Sequence, residues 1–187
     1  MENRILMSTK LAVLFGVVSE HSLLFLAPIV ITYQIEHICV NSSPSLISYY
    51  IGLQEGLSRL LSAVGVIFWT SVSDKIGRKY SLIITMSGIA TSSIAGGLCT
   101  TYSTLLFWRG VSGLFSGTIP IIKATISDIS DDSNISDLYK FFASGYGFAS
   151  ILGPLIGGLF SQPYNLNSIF DKTFFHDYPY FLPFCIQ

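Results

Sequence analysis

Long apolar runs separated by short polar connections constrain this chain more than any other feature of its sequence. Five runs are long enough for a membrane-spanning helix, at about 11–32, 46–71, 80–99, 102–126 and 141–161, and a sixth begins near Tyr180. A helix needs roughly 20 apolar residues to cross about 30 Å of hydrocarbon. Only 11% of the residues are charged, against about 25% in an average soluble domain. The sequence therefore predicts an all-α integral membrane protein embedded in a lipid bilayer.

The charge balance and the missing motifs exclude several function classes. Ten basic residues are offset by eleven acidic ones, so nothing indicates the concentrated basic surface that nucleic acid requires. No cysteine and histidine cluster has metal-site spacing, and no nucleotide-binding glycine loop or serine nucleophile motif is present. The connections between the runs are too short for a catalytic domain. We therefore expect no enzyme, no cofactor, no metal and no nucleic-acid partner.

The basic residues are unevenly distributed between the two sides of the predicted bundle. Arg4, Lys10, the turn at 75–79 and the connection around Lys123 and Lys140 all fall on one side. Loops rich in lysine and arginine remain in the cytoplasm. The pattern predicts a cytoplasmic N-terminus, and it leaves open which membrane houses the chain.

Ionisable side chains inside the predicted helices indicate where function lies. Each costs about 2.5–3.5 kcal/mol to insert, so each requires a partner, a cavity or a task. Five such residues stand out: Glu20, His21, Glu55, Arg59 and Arg109. Glu20 follows Lys10 by about ten residues, which places it near mid-membrane. We expect Glu20 to face inward and to take up and release protons, as the carboxyl groups of proton-coupled transporters do. The alternative is a permanent pair between Glu20 and an arginine that only ties helices together.

Two of these residues, Glu55 and His21, also have simpler interpretations. Glu55 and Arg59 are spaced i, i+4 with the acid first, the order that favours an ion pair within one helix. Successive helical residues point in directions about 100° apart, so His21 cannot share a cavity with Glu20. For His21, an interhelical hydrogen bond and a proton relay are both open.

Small residues recur at helical spacing and indicate close helix packing. The repeats are Gly88, Ser92 and Gly96 in the third run and Gly145, Ala149, Gly153 and Gly157 in the fifth. Lipid provides no hydrophobic drive for helix pairing, so close backbone contact through small residues is a principal attraction. A mixed stripe on the second run is predicted to face protein or water instead of lipid: Gly52, Glu55, Gly56, Arg59 and Ser62.

The turn at 70–79 carries the first motif of a known family. Its sequence, TSVSDKIGRK, resembles the signature G-x-L-x-D-R-x-G-R-K between helices 2 and 3 of the major facilitator superfamily. Four positions are identical: Asp74, Gly77, Arg78 and Lys79. Thr70 stands where the signature has its first glycine.

Two further motifs follow in the expected order. Residues 109–117, RGVSGLFSG, resemble the helix 4 motif whose arginine, here Arg109, is implicated in proton coupling. Residues 147–158, GFASILGPLIGG, resemble the antiporter motif of helix 5, with Gly153, Pro154, Gly157 and Gly158 as its packing positions. The Phe68-Trp69 pair and YPYFLP at 178–183 are similar to the zinc-induced-facilitator-like transporters of the drug:proton antiporter branch.

The resemblance implies a fold and a function for residues 1–187. It implies the N-terminal half of a six-plus-six helix bundle, with five full transmembrane helices and a truncated sixth. The implied activity is transport of a small solute in exchange for protons by alternating access, with Glu20 and Arg109 as the coupling pair and the Asp74 motif as a cytoplasmic gate. The other wall would come from a C-terminal half or a partner chain. The alternative is a truncated, non-transporting protein, either a relic or an accessory subunit of a full-length transporter.

Overall fold

The structure is a computed structural model that describes residues 2–40, 42–130, 134–161 and 178–186. In the first helix its side chains are described from residue 10 onward, apart from residue 12. The helices within these ranges are α1 (Glu2–Ile38), α2 (Pro44–Ile76), α3 (Arg78–Gly97), α4 (Tyr102–Leu114), α5 (Thr118–Ile129), α6 (Ile135–Phe160) and α7 (Phe181–Ile186). The described residues form no β-strand. The prediction of an all-α chain is confirmed.

Four helical stretches are long and apolar enough to cross a membrane: Val13–Ile38, Pro44–Ile76, Tyr102–Ile129 and Ile135–Phe160. The sequence also predicts a span over 80–99, where α3 has sufficient length at 20 residues. Its mean hydropathy is lowered by hydroxyl side chains, among them the buried Ser81, Thr85 and Ser92. These hydroxyls bond to carbonyls of their own helix, as Thr85 does to Ser81, which reduces the cost of burying them.

The turn between α2 and α3 depends on one glycine. Gly77 has φ +95° and ψ 147°, a conformation that side chains with a Cβ rarely adopt. Its N–H donates to the Ser73 carbonyl and its carbonyl accepts from Ser81 N–H. Gly77 is therefore the single residue between α2 and α3.

The run predicted as one helix over 102–126 forms two helices, because residues 115–117 interrupt the helix. Trp69 of α2 stabilises the break: its indole Nε1 donates to the Leu114 carbonyl at 3.0 Å. The Trp69 ring also stacks on Phe115, with centroids 5.6 Å apart. Backbone groups freed by a break at membrane depth need new partners, and Trp69 provides one for the last carbonyl of α4.

The α1–α6 pair packs through the glycines of the fifth run. A Cβ added at Gly153 would lie 2.6 Å from the Ser22 carbonyl oxygen, and one at Gly145 would lie 3.0 Å from Val17. The backbones of α1 and α6 therefore approach closely, as the small-residue repeat predicts.

The α2–α4 contact is comparably tight but uses a glycine that the sequence repeats did not indicate. A Cβ at Gly65 would lie 2.5 Å from the Leu114 carbonyl oxygen, and one at Gly113 would lie 2.7 Å from the Ser58 carbonyl oxygen. In contrast, Gly52 and Gly56 have nothing within 4 Å of a built Cβ. Their side of α2 is open in this structure.

Candidate functional site

A cavity between α1, α2, α3 and α4 brings together three residues singled out from the sequence. Glu20 of α1, Arg59 of α2 and Arg109 of α4 all line it, and we call it the Glu20 cavity. Four serines contribute to the same lining: Ser58, Ser62, Ser112 and Ser116. The cavity thus combines one carboxyl group, two guanidinium groups and several hydroxyls, which are able to bind a polar or charged solute.

Glu20 also borders a second, more apolar cavity. That cavity is lined by Met86, Ile89 and Ser93 of α3 and by Phe184 of α7. Glu20, Leu23 and Ile89 line both cavities.

The carboxyl group of Glu20 lies against α5 at the start of that helix. Its polar neighbours are the Thr118 side chain and the Ile119 backbone, while its Oε2 atom is buried without a hydrogen-bond partner. The ion pairs found among the described residues do not include Glu20. The permanent Glu20–arginine pair considered as an alternative is therefore not formed in this conformation.

The two arginines are held by a shared carboxylate, Glu55. Arg59 Nη2 lies 2.6 Å from Glu55 Oε1, and Arg59 Nε donates to the same oxygen at 2.8 Å. Arg109 Nη2 lies 3.6 Å from the other oxygen, Oε2. Spacing along α2 predicts the contact with Arg59 but not the one with Arg109. Glu55 therefore links α2 to α4 through charge.

Arg109 is the more enclosed of the two cations. Its side chain is 13% exposed, against 52% for Arg59. The Nε atom of Arg109 is buried and has no hydrogen-bond partner in the described residues. Arg109 thus retains an unused donor at the cavity.

His21 faces a different helix from Glu20. Its Nδ1 lies 3.0 Å from the Val17 carbonyl oxygen within α1, so Nδ1 carries the donated hydrogen. The ring lies edge-on to Tyr146 and Phe142 of α6, at centroid distances of 4.9 and 6.1 Å. Its hydrogen bond is thus made within α1, while its ring packs against α6.

The charged motif after α2 forms a network around Arg78. Arg78 Nη1 lies 2.7 Å from Asp74 Oδ1 and donates to Ser73 Oγ at 2.6 Å. Arg78 Nε lies 3.0 Å from Asp128 Oδ2 of α5. The hydrogen bond with Asp128 raises the pKa of Arg78 above its already high value, so this cation is charged at any physiological pH. Asp128 lies outside the sequence motif, and the sequence marks it only as one of several acidic residues near a connection.

The other motif positions have distinct environments. Lys79 is exposed. On α6, Gly157 lies close to Leu26 and Val30 of α1, whereas Gly158 has nothing within 4 Å of a built Cβ. Pro154 lies inside α6, where the missing N–H leaves a carbonyl one turn earlier without its usual helical partner.

Comparison with protein families identifies the chain. The family model described as Major Facilitator Superfamily matches residues 11–170. The chain belongs to this superfamily. The family predicted from the motifs is thereby confirmed, and with four apolar helical stretches of spanning length this superfamily member is an integral membrane protein with the fold of a half-bundle.

Similar proteins include fungal and bacterial transporters. The efflux pump azaK of Aspergillus niger is 28% identical over 137 residues, covering 73% of this chain and 28% of the pump. The major facilitator-type transporter psiT2 of Psilocybe cyanescens is 31% identical over 147 residues, covering 76% of the chain and 27% of psiT2. The multidrug resistance protein MdtG of Yersinia enterocolitica is 29% identical over 139 residues, covering 74% and 33%. The chain spans about a quarter to a third of the length of these relatives.

Proposed function

We propose that this chain forms the N-terminal wall of a transporter that exchanges a small solute for protons by alternating access. The observation that carries the proposal is the Glu20 cavity, in which Glu20, Arg59 and Arg109 meet from three helices. Charges at membrane depth are costly and typically mark a substrate or ion pathway. The similarity to an efflux pump and to a multidrug resistance protein supports the same activity.

In this proposal Glu20 is the proton-binding group. It is enclosed, it has one oxygen without a hydrogen-bond partner, and it borders two cavities. A solute with a positively charged group competes with the proton for the ionised carboxylate of Glu20. Such competition produces exchange, because the transporter reorients with either the proton or the solute bound.

The turn at Gly77 is proposed to be the cytoplasmic gate. Arg78 connects the end of α2 with the end of α5 through Asp74 and Asp128, which places both ends on one side of the bundle. Because basic residues concentrate on that side, we propose that it is cytoplasmic and that the N-terminus lies there too. The remaining wall would come from a C-terminal half or a partner chain, and the open, polar side of α2 is the surface where we place it.

The test is transport by purified protein reconstituted in liposomes. Pyranine inside the vesicles reports proton movement, while ethidium and benzenesulfonate serve as a cationic and an anionic probe. We expect an inside-acid gradient to drive probe uptake, and we expect Glu20→Gln to abolish that dependence. Glu36→Gln is the matched control, since Glu36 is exposed on the same helix. Probe uptake that ignores the gradient, or that keeps its gradient dependence in Glu20→Gln, would overturn the proposal.

A further inference from the structure

Glu55 has a contact that an ion pair within one helix does not explain. Its Oε1 atom binds Arg59 at 2.6 Å, and its Oε2 atom lies 3.6 Å from Arg109 Nη2 on another helix. The side chain of Glu55 is 34% exposed. One carboxylate is thus divided between the two cations of the Glu20 cavity.

The ion pairs around Glu55 contain more positive groups than negative ones. Two guanidinium groups share one carboxylate, so Glu55 offsets one of their two positive charges. Glu20 lines the same cavity but is in none of the ion pairs of the described residues. The surplus positive charge is therefore available to Glu20 whenever an arginine side chain turns toward it.

Arg109 is able to turn while its helix stays fixed. The backbone near Arg109 is locked against α2, since a Cβ at Gly113 would lie 2.7 Å from the Ser58 carbonyl oxygen and one at Gly110 would lie 2.9 Å from Leu61. Its contact with Glu55 at 3.6 Å is longer than a hydrogen bond. Its Nε donor is unused. A rotation of the side chain alone would thus change its carboxylate partner.

The geometry points to Glu55 as a positioning residue that holds Arg109 away from Glu20 and thereby keeps Glu20 able to bind a proton. This inference rests on the proposed role of Glu20 in proton exchange. Without Glu55, Arg109 is free to pair with Glu20, and a paired carboxylate gives up its proton more readily. Glu55 then sets the pH range in which the transporter exchanges protons.

Other ionisable groups surround Glu20 and have to be weighed. The titratable side chains on the surrounding helices include the following: His21 on α1, Glu55 and Arg59 on α2, Arg109 on α4, Lys123 on α5, Tyr146 on α6 and Cys185 on α7. The wall provided by α3 is Met86, Ile89, Ala90 and Ser93, none of which titrates. His21 packs on Tyr146, and Lys123 lies over the Phe142 ring. The cations that line a cavity together with Glu20 are Arg59 and Arg109.

The experiment measures the pH dependence of ethidium and benzenesulfonate exchange in the same liposomes. An opposite charge within about 4–6 Å changes a carboxyl titration by roughly 1–3 pH units. We therefore expect Glu55→Gln to move the midpoint of the transport profile by about one unit or more toward acid. Glu55→Asp keeps the charge and is expected to retain the original midpoint. Arg59→Gln leaves Glu55 entirely to Arg109 and is expected to cause no acid shift.

A second measurement does not depend on transport. Infrared difference spectra of the reconstituted protein, with Glu20→Gln as the reference, follow the Glu20 carboxyl band across pH. The band midpoint should move toward acid in Glu55→Gln and stay in place in Glu36→Gln.

The two proposals fail in different ways. An unchanged midpoint in folded Glu55→Gln, together with loss of coupling in Glu20→Gln, would overturn the role of Glu55 and leave the proposed function intact. Coupling that survives in Glu20→Gln would overturn the proposed function itself. Equal midpoints in Glu55→Gln and Glu55→Asp would also count against positioning by charge.

Discussion

Replacing Gly153 by alanine is the sharpest test of how α1 and α6 pack. The added Cβ would lie 2.6 Å from Ser22 O, 2.9 Å from Phe25 Cβ and 3.1 Å from Leu26 N. An ordinary contact begins at 3.4 Å, so the first of these atoms must move away by about 0.8 Å, the difference between 3.4 and 2.6 Å. Two of the three atoms belong to the α1 backbone and the third is a Cβ. A change of rotamer cannot relieve the contact, and the two helices have to separate.

Two opposing terms determine the stability change. Inserting a methyl group into a tight contact costs about 1–3 kcal/mol, while alanine is favoured over glycine in a helix by about 0.8–1 kcal/mol. Gly158→Ala on the same helix isolates the second term, because nothing lies within 4 Å of its built Cβ. The difference between the two variants removes the propensity term and leaves the contact. We expect Gly153→Ala to be less stable than Gly158→Ala by about 1–3 kcal/mol.

The assay is reversible unfolding in mixed micelles with increasing sodium dodecyl sulfate, followed by tryptophan fluorescence. The chain has two tryptophans, Trp69 and Trp108, which lie on the α2 and α4 helices away from the substituted positions. Gly158→Ala should match or exceed the parent chain. If both variants unfolded within about 0.5 kcal/mol of each other, a spread usual for substitutions that disturb no contact, the close approach of α1 and α6 at Gly153 would be refuted.

Two further changes test the helix ends in the same unfolding assay. Trp69→Phe removes the 3.0 Å hydrogen bond to the Leu114 carbonyl and should cost about 0.5–1.5 kcal/mol more than Trp108→Phe, while equal costs would show that the indole N–H does not stabilise the break. Gly77→Ala meets no atom within 4 Å but has to adopt φ +95° with ψ 147°, so it should lose about 1–3 kcal/mol, whereas the equally open Gly52→Ala inside α2 should lose none; a neutral result for Gly77→Ala would contradict the turn geometry.

The helical class of the chain could be predicted because apolar runs of bilayer length permit few other structures. The break after Leu114 was not predicted, because the apolar residues on its two sides together make one run of spanning length, although Ser116, Gly117 and Pro120 lie at or just after it. The contact that accompanies the break comes from Trp69, 45 residues earlier in the chain. Local sequence contains no sign of such a partner.

The small-residue repeats predicted which side of a helix packs better than they predicted which helix packs against it. Spacing by four identifies residues on one side of a helix and correctly grouped Gly145 with Gly153 against α1. Gly52 and Gly56 have the same spacing, yet no atom lies within 4 Å of a Cβ built at either position. Gly65 lies outside both glycine patterns and makes one of the tightest contacts of α2. Which glycine is approached depends on the crossing point of two helices, and that point is a property of the pair.

Part of the candidate site could be predicted from the sequence. Glu20, Glu55, Arg59 and Arg109 stood out because each is costly in a membrane, and a cost of this kind is visible in a single sequence. For Glu55, the spacing from Arg59 predicted only a partner within α2. A carboxylate has two oxygens and accepts several hydrogen bonds, so satisfying one of them does not exhaust the group. The second oxygen faces Arg109, and its importance follows only from knowing that Arg109 and Glu20 share a cavity.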